Sequence, residues 1–212
     1  NRCPKIRTFN IGNDVKTIPR FYISAIEINY NAENCTSTNY FLSAFSNIET
    51  LNIGNHVKSI PEYAFSGCPS TTKVNYNAEN CTSIGSYAFS GAGTLNIGNN
   101  VKTIPDKAFY DCSSLTNITI GNSVTYFGLN AFTYTGWYNN QANGALYLNN
   151  YCLGYKGDAP TENLTIKDNT RFIVNNAFDE CSGLTSVTIP SSVTYIGESA
   201  FDGTPFLNNH TA

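Results

Sequence analysis

Apolar and polar positions along this chain recur as a phrase. "TLNIGNNVKTIPDKAF" starts at Thr94, "TLNIGNHVKSIPEYAF" at Thr50 and "SVTIPSSVTYIGESAF" at Ser186. Within one copy, Ile118 and Ile120 alternate with Asn117 and Thr119, which predicts a short strand with one buried face. Gly12, Gly54, Gly98, Gly121 and Pro190 share the next slot and predict a corner. Val101 and Ile104 then point inward, and Pro105 is expected to open a short helical turn through Ala108 and Phe109. Such a turn is too short to stand alone, so packing must hold it.

The Ala-Phe pairs place the period. Phe45, Phe65, Phe89, Phe109, Phe132, Phe178 and Phe201 follow one another in steps of 20, 24, 20, 23, 46 and 23 residues. The unit is therefore about 23 residues, with one copy lacking its Ala-Phe. Counting strand ends Ile11, Tyr30, Ile53, Tyr76, Ile97, Ile120, Leu148, Ile166 and Ile189 predicts nine turns. A single unit cannot bury its apolar stripe, whereas stacked copies cover one another. The expected architecture is one α/β solenoid domain over residues 1–212, right-handed, with one short parallel strand per repeat and an irregular unit at about 134–160. The spacing leaves no room for the crossover helices of an ordinary α/β domain. A parallel β-helix is the competing arrangement.

Composition narrows the partners. The chain has 212 residues, a net charge of -3 and only 13% charged residues, which argues against nucleic acid or anionic membrane. No run of apolar residues is long enough to span a bilayer. The absence of Met and a first repeat already under way suggest a mature or excised piece of a longer protein.

The pattern L-x-x-[IV]-x-I-[GP]-x-x-V-x-x-I-x-x-x-A-F-x-x-C, best seen from Leu115 to Phe132 and Leu184 to Phe201, resembles the leucine-rich repeats of BspA-like, or Treponema-type, surface proteins. The resemblance implies a leucine-rich-repeat superhelix. It also implies a secreted or surface-anchored protein of a host-associated bacterium, or of certain mucosal protozoa, with a role in adhesion to host or matrix proteins or to other cells. It fixes no binding residues, since its constant positions are core positions.

The cysteines follow the repeat. Cys3, Cys68, Cys112 and Cys181 share one slot, and Cys35 and Cys81 another. Same-slot neighbours two layers apart are too distant for a disulfide, so buried free thiols are expected, with bridges between the two slots left open. Cys152 is expected in the core slot of Val124 and Val193. His56 occupies a variable corner position and His210 the tail, which leaves no base for a nucleophilic triad. Asp106, Glu62 and Glu198 are expected to cap the short helical turns. "GYKGDAP" lacks phosphate-loop spacing, and five Asn-x-Thr sequons carry meaning only in a secreting eukaryote. No catalytic group, cofactor or metal is expected, and the chain is expected to be monomeric.

Two surfaces could meet a partner. The first is the outward strand column containing Asn52, Asn75, Asn96 and Thr119, either a hydrogen-bonding groove or a self-bonded ladder. The second is the irregular stretch holding Trp137, Tyr138, Tyr147, Tyr151 and Tyr155, either an aromatic contact site or a filling for the missing Ala-Phe. The function expected is a non-enzymatic binding or adhesion module for a host or matrix protein or a glycan. A structural spacer and an accessory domain of a polysaccharide-active enzyme are the alternatives.

Overall fold

The computed structural model describes residues 6–18, 25–35, 37–38, 47–160 and 162–208. Cys3, Phe45 and His210 lie outside the described residues, as do residues 39–46 as a whole. Contacts divide the chain into two compact units, Asn1–Asn140 and Gln141–Ala212.

Unit 1 begins with β1 (Ile6–Ile11), β2 (Thr17–Ile18), β3 (Ala25–Tyr30), β4 (Ser37–Thr38), β5 (Thr50–Ile53) and β6 (Ser59–Ile60). It continues with β7 (Lys73–Tyr76), β8 (Ser83–Ile84), β9 (Thr94–Ile97), β10 (Thr103–Ile104), β11 (Asn117–Ile120), β12 (Tyr126–Phe127) and the one-turn helix α1 (Gly136–Asn139). The odd-numbered strands are those the alternation predicts. They form one six-stranded parallel sheet in the order β1-β3-β5-β7-β9-β11. Leu51, Val74, Leu95 and Ile118 lie opposite one another across it and are buried. This is the expected right-handed leucine-rich-repeat solenoid.

The even-numbered strands form a second ladder that breaks at every other layer, into β2–β4, β6–β8 and β10–β12. Proline accounts for the breaks. Gly85 N donates to Ile60 O at 2.7 Å and Gly128 N to Ile104 O at 2.7 Å. In the layers that begin a new pair, the same place is held by Pro61 and Pro105, which have no N–H to give. The partner layer must in turn be glycine. A Cβ on Gly85 would lie 2.2 Å from Glu62 N, and one on Gly128 2.1 Å from Asp106 N.

The segment from Pro105 to Cys112 is not the expected helical turn. Its N–H groups alternate between two destinations. Ala108, Tyr110 and Cys112 donate to the carbonyls of Pro105, Lys107 and Phe109 within the turn. Lys107, Phe109 and Asp111 donate across to Leu129, Ala131 and Thr133 of the next layer. Lys107 and Asp111 have φ of 52° and 57°, the positive value that the third residue of a type II turn requires. A helix would keep these donors to itself, whereas a run of linked β-turns stitches the layers together. The acidic residue is recast accordingly: Asp106 Oδ1 accepts from Leu129 N of the next layer at 2.9 Å.

Aromatic rings fill unit 1. Phe65, Phe89, Phe109 and Phe132 follow one another at centroid separations of 5.7, 5.5 and 5.5 Å, and Trp137 meets Phe132 edge-on at 6.4 Å. Trp137 sits on α1. Thr135 caps that helix by accepting from Tyr138 N at 3.0 Å, while Trp137 N donates to Leu115 O at 2.7 Å.

Unit 2 contains β13 (Gly144–Leu148), β14 (Tyr151–Lys156), β15 (Asn163–Thr165), β16 (Phe172–Ile173), β17 (Ser186–Thr188), β18 (Tyr195–Ile196) and the helical turn α2 (Pro205–Asn208). β13 and β14 form an antiparallel hairpin turned at Asn149, where φ is 54°. Leu148 therefore does not end a parallel strand, which corrects the seventh of the nine strands counted from the sequence. The same hairpin moves Cys152, which pairs with Ile173 and occupies the inward slot of Ile104 and Phe127 rather than that of Val124. Here the short-strand ladder is unbroken, in the order β13-β14-β16-β18, because Val174 and Gly197 donate to Cys152 O and Ile173 O.

α2 repeats α1. "AFDGTPFLN" from Ala200 to Asn208 matches "AFTYTGWYN" from Ala131 to Asn139. Phe206 N donates to Leu184 O at 2.9 Å, and Phe206 meets Phe201 edge-on at 5.4 Å.

Candidate functional site

The polar strand face of unit 1 is a closed hydrogen-bonded ladder. Asn29 donates to Asn10 at 2.7 Å, Asn52 to Asn29 at 2.8 Å, Asn75 to Asn52 at 2.7 Å and Asn96 to Asn75 at 3.1 Å. Thr119 Oγ1 then donates to Asn96 Oδ1 at 2.8 Å. In-register parallel strands bring like amides to one height, so each donates to its neighbour. Asn52 also donates to Glu27 at 2.8 Å. Every amide of the expected groove already serves the sheet, which favours the self-bonded reading of this column.

The aromatic residues of the irregular stretch fall in both units. Trp137 and Tyr138 belong to unit 1, and Tyr147, Tyr151 and Tyr155 to unit 2. Trp137 caps the phenylalanine stack. Tyr151 has no exposed area and stacks on Phe172 at 4.8 Å, a core position. Tyr147 is half-buried, accepts from Lys167 N at 3.1 Å and lies 6.0 Å beneath Lys167 Nζ. Burial pushes its hydroxyl up to about 12. Tyr155 is half-buried on β14, opposite Ala145. Trp137, Tyr138, Tyr147 and Tyr155 keep surface.

Unit 1 carries another aromatic surface. Tyr63 and Tyr87 stack at 5.2 Å with their planes 13° apart. Tyr134 meets Tyr110 at 5.3 Å and Tyr138 at 6.2 Å, both edge-on. Burial first, then Tyr134, Asp111 and Tyr87, raise the Tyr110 hydroxyl above its usual pKa. Tyr87 is 41% and Tyr134 50% exposed. Lys107 Nζ stands 5.9 Å over the Tyr110 ring. Tyr63, Tyr87 and Tyr134 hold φ of 56°, 58° and 61°, a conformation unfavourable for bulky side chains by on the order of 1 kcal/mol each. Two other layers place Asn130 and Asn176 in the slot of Tyr63 and Tyr87, and asparagine tolerates this conformation better.

The sequence matches the BspA type leucine rich repeat region in six copies, over residues 1–68, 36–156 and 147–212. The chain belongs to this family. No curated protein matches it. Among solved structures, a leucine rich cell surface protein from Faecalibacterium prausnitzii A2-165 is 20% identical, with a TM-score of 0.41 over 96% of this chain and 68% of that one. A leucine-rich repeat protein from Eubacterium ventriosum is 21% identical, with a TM-score of 0.31 over 85% of this chain and 52% of that one. One from Bacteroides ovatus is 20% identical, with a TM-score of 0.27 over 93% and 72%.

In this BspA-type chain the described cysteines belong to the core. Cys35, Cys68, Cys81, Cys112, Cys152 and Cys181 are all buried and form no disulfide among the described residues. Burial pushes Cys68 and Cys112 up to about 12 and Cys152 up to about 11, so these three are not ready nucleophiles. Among the described residues no group of three His, Cys, Asp or Glu side chains could hold a metal ion, and no helix is long and apolar enough to cross a membrane.

Sequence reasoning missed the tyrosine ridge, although the signal was present. Tyr63 and Tyr87 stand two residues before Phe65 and Phe89, and Tyr110 and Tyr134 just after Phe109 and Phe132. Slots flanking a buried Phe in a turn face outward, so aromatics there are surface residues.

Proposed function

We propose that this BspA-type chain is a non-enzymatic binding module of a secreted or surface-displayed bacterial protein. Its contact surface is the ridge of Tyr63, Tyr87, Tyr110, Tyr134 and Tyr138, its partner is a host or matrix protein, and adhesion is the outcome. One observation carries the reading. Tyrosines occupy backbone positions that disfavour them and form an exposed aromatic surface on a repeat otherwise faced with Asn, Ser and Thr. Tyrosine rings give large contact area at small entropic cost and are enriched among interface hot spots. The rings stack on one another, so they present edges and hydroxyls, which suits a protein surface. Tyr147 and Tyr155 offer a second, smaller contact in unit 2, where Tyr151 belongs to the core.

The spacer alternative draws on the asparagine ladder, which consumes its own hydrogen bonds. Binding of the full chain to a panel of purified extracellular-matrix proteins separates the two. A bound protein released by Tyr→Asn changes in the ridge supports the module, and no binding to any member supports the spacer.

A further inference from the structure

The break in the short-strand ladder between β8 and β10 leaves an open groove of about 440 Å³ in unit 1. The groove exists because Pro105 cannot donate to the layer below it. Its lining includes Ser83, Thr103, Pro105, Asp106 and Tyr126. Tyr126 is 46% exposed and, unlike the ridge tyrosines, stacks on no other ring among the described residues, so a ring face is free. Asp106 is held in place by the bond from Leu129 N to its Oδ1, which leaves Oδ2 as an acceptor. The hydroxyls of Ser83 and Thr103 make no hydrogen bond among the described residues.

We infer that this groove is a subsite for a neutral pyranose unit of a glycan. The inference rests on the reading of the chain as a binding module but uses a different face. A pyranose has an apolar face of C–H groups that packs on an aromatic ring, and a rim of hydroxyls that both donate and accept. The free ring of Tyr126 matches the first, and a fixed carboxylate with two hydroxyls matches the second. Among the described residues the only charged side chain lining the groove is negative, which disfavours phosphate and other anions.

Saturation-transfer NMR on the full chain tests the assignment, with the methyl glycosides of glucose, galactose, mannose and N-acetylglucosamine as probes and a capped Ala-Pro-Ala-Pro peptide as the competing class. Transfer to the ring protons of at least one glycoside is expected. Tyr126→Thr, which copies Thr103 of the same column and so keeps the fold, should weaken that glycoside about tenfold or more, as loss of an aromatic anchor does. Asp106→Asn should weaken it as well, and Tyr87→Asn should leave it unchanged. No transfer to any glycoside, transfer insensitive to Tyr126→Thr, transfer lost in Tyr87→Asn, or transfer to the peptide alone would overturn the subsite. Because Tyr87→Asn reads the ridge and Tyr126→Thr the groove, the failure of either is visible without the other.

Discussion

The two units are built from one repeat and complete opposite ladders. In unit 1 the long strands form a continuous sheet of six and the short ones break into pairs. In unit 2 the short ladder is continuous and the long one is only β15 with β17. The local cause is one position per layer: proline at 61 and 105 withholds a donor that Val174 and Gly197 supply. Aromatic residues follow the same division. In unit 2 Tyr151, Phe172 and Tyr195 line the unbroken short ladder, whereas the corresponding column of unit 1 reads Ser59, Ser83, Thr103 and Tyr126. Unit 1 places its surface aromatics beside the phenylalanine turns instead. Within the short-strand column Tyr151 is buried whereas Tyr126 and Tyr195 are 46% and 42% exposed, so the covering layers, together with the slot, set whether a tyrosine is core or surface.

The largest expected effect lies in the phenylalanine stack. Phe109→Ala removes a ring that touches Tyr76, Phe89 and Phe132 and should cost about 3–5 kcal/mol in chemical denaturation. Phe178→Ala in unit 2, whose stacked neighbour is Phe201, should fall toward the low end of that range. Equal losses at the two sites would mean that stack length adds nothing.

Gly128→Ala comes next, since its Cβ would press on the Asp106 backbone, and roughly 1–3 kcal/mol of overpacking is expected. Pro105→Val addresses the cause of the difference itself. It supplies the N–H that Val174 supplies in unit 2, so hydrogen exchange should show a protected amide at position 105 and β8 joined to β10. Stability should change by only about 1 kcal/mol, the net worth of one hydrogen bond. An unprotected amide there would show that proline marks the break without causing it.

The thiols give a pH test of the same comparison. The folded pKa values of Cys68, Cys112 and Cys152 lie above the ordinary 9.0, so their contribution to stability is complete below about that pH and is lost as pH rises. Cys152 in unit 2 should finish that loss near pH 11, and Cys68 and Cys112 in unit 1 near pH 12. Alkylation followed across this range would report the order. The smallest effect is at the surface. Lys58 holds the Glu33 carboxyl below its ordinary 4.5, and this contribution is present above that pH and lost as pH falls through the lowered value. In Lys58→Ala an NMR titration should return Glu33 toward the usual carboxylate range.

Much of this was legible in the sequence. Strand faces, the period and the buried Phe and Cys slots follow from alternation and recurrence, because a stacked repeat repeats its environment. Pro105 was harder: absence of an N–H suits a first helical position and a ladder break equally, and only the neighbouring layer decides. Leu148 and Cys152 were misplaced because counting by period carries a register through a hairpin that does not keep it. The cluster from Trp137 to Tyr155 rests on composition, while "AFDGTPFLN" at Ala200 already places a ring, Phe206, where Trp137 stands in "AFTYTGWYN".

The Tyr63→Asn, Tyr87→Asn double variant tests the central claim most directly. Asparagine occupies the same slot at positions 130 and 176, so the variant should unfold at the same temperature as the parent or slightly above it. If the ridge is the contact surface, binding to the matrix protein retained by the parent chain should be lost while the fold stays intact. Binding that persists at parental affinity in this folded variant would contradict the account.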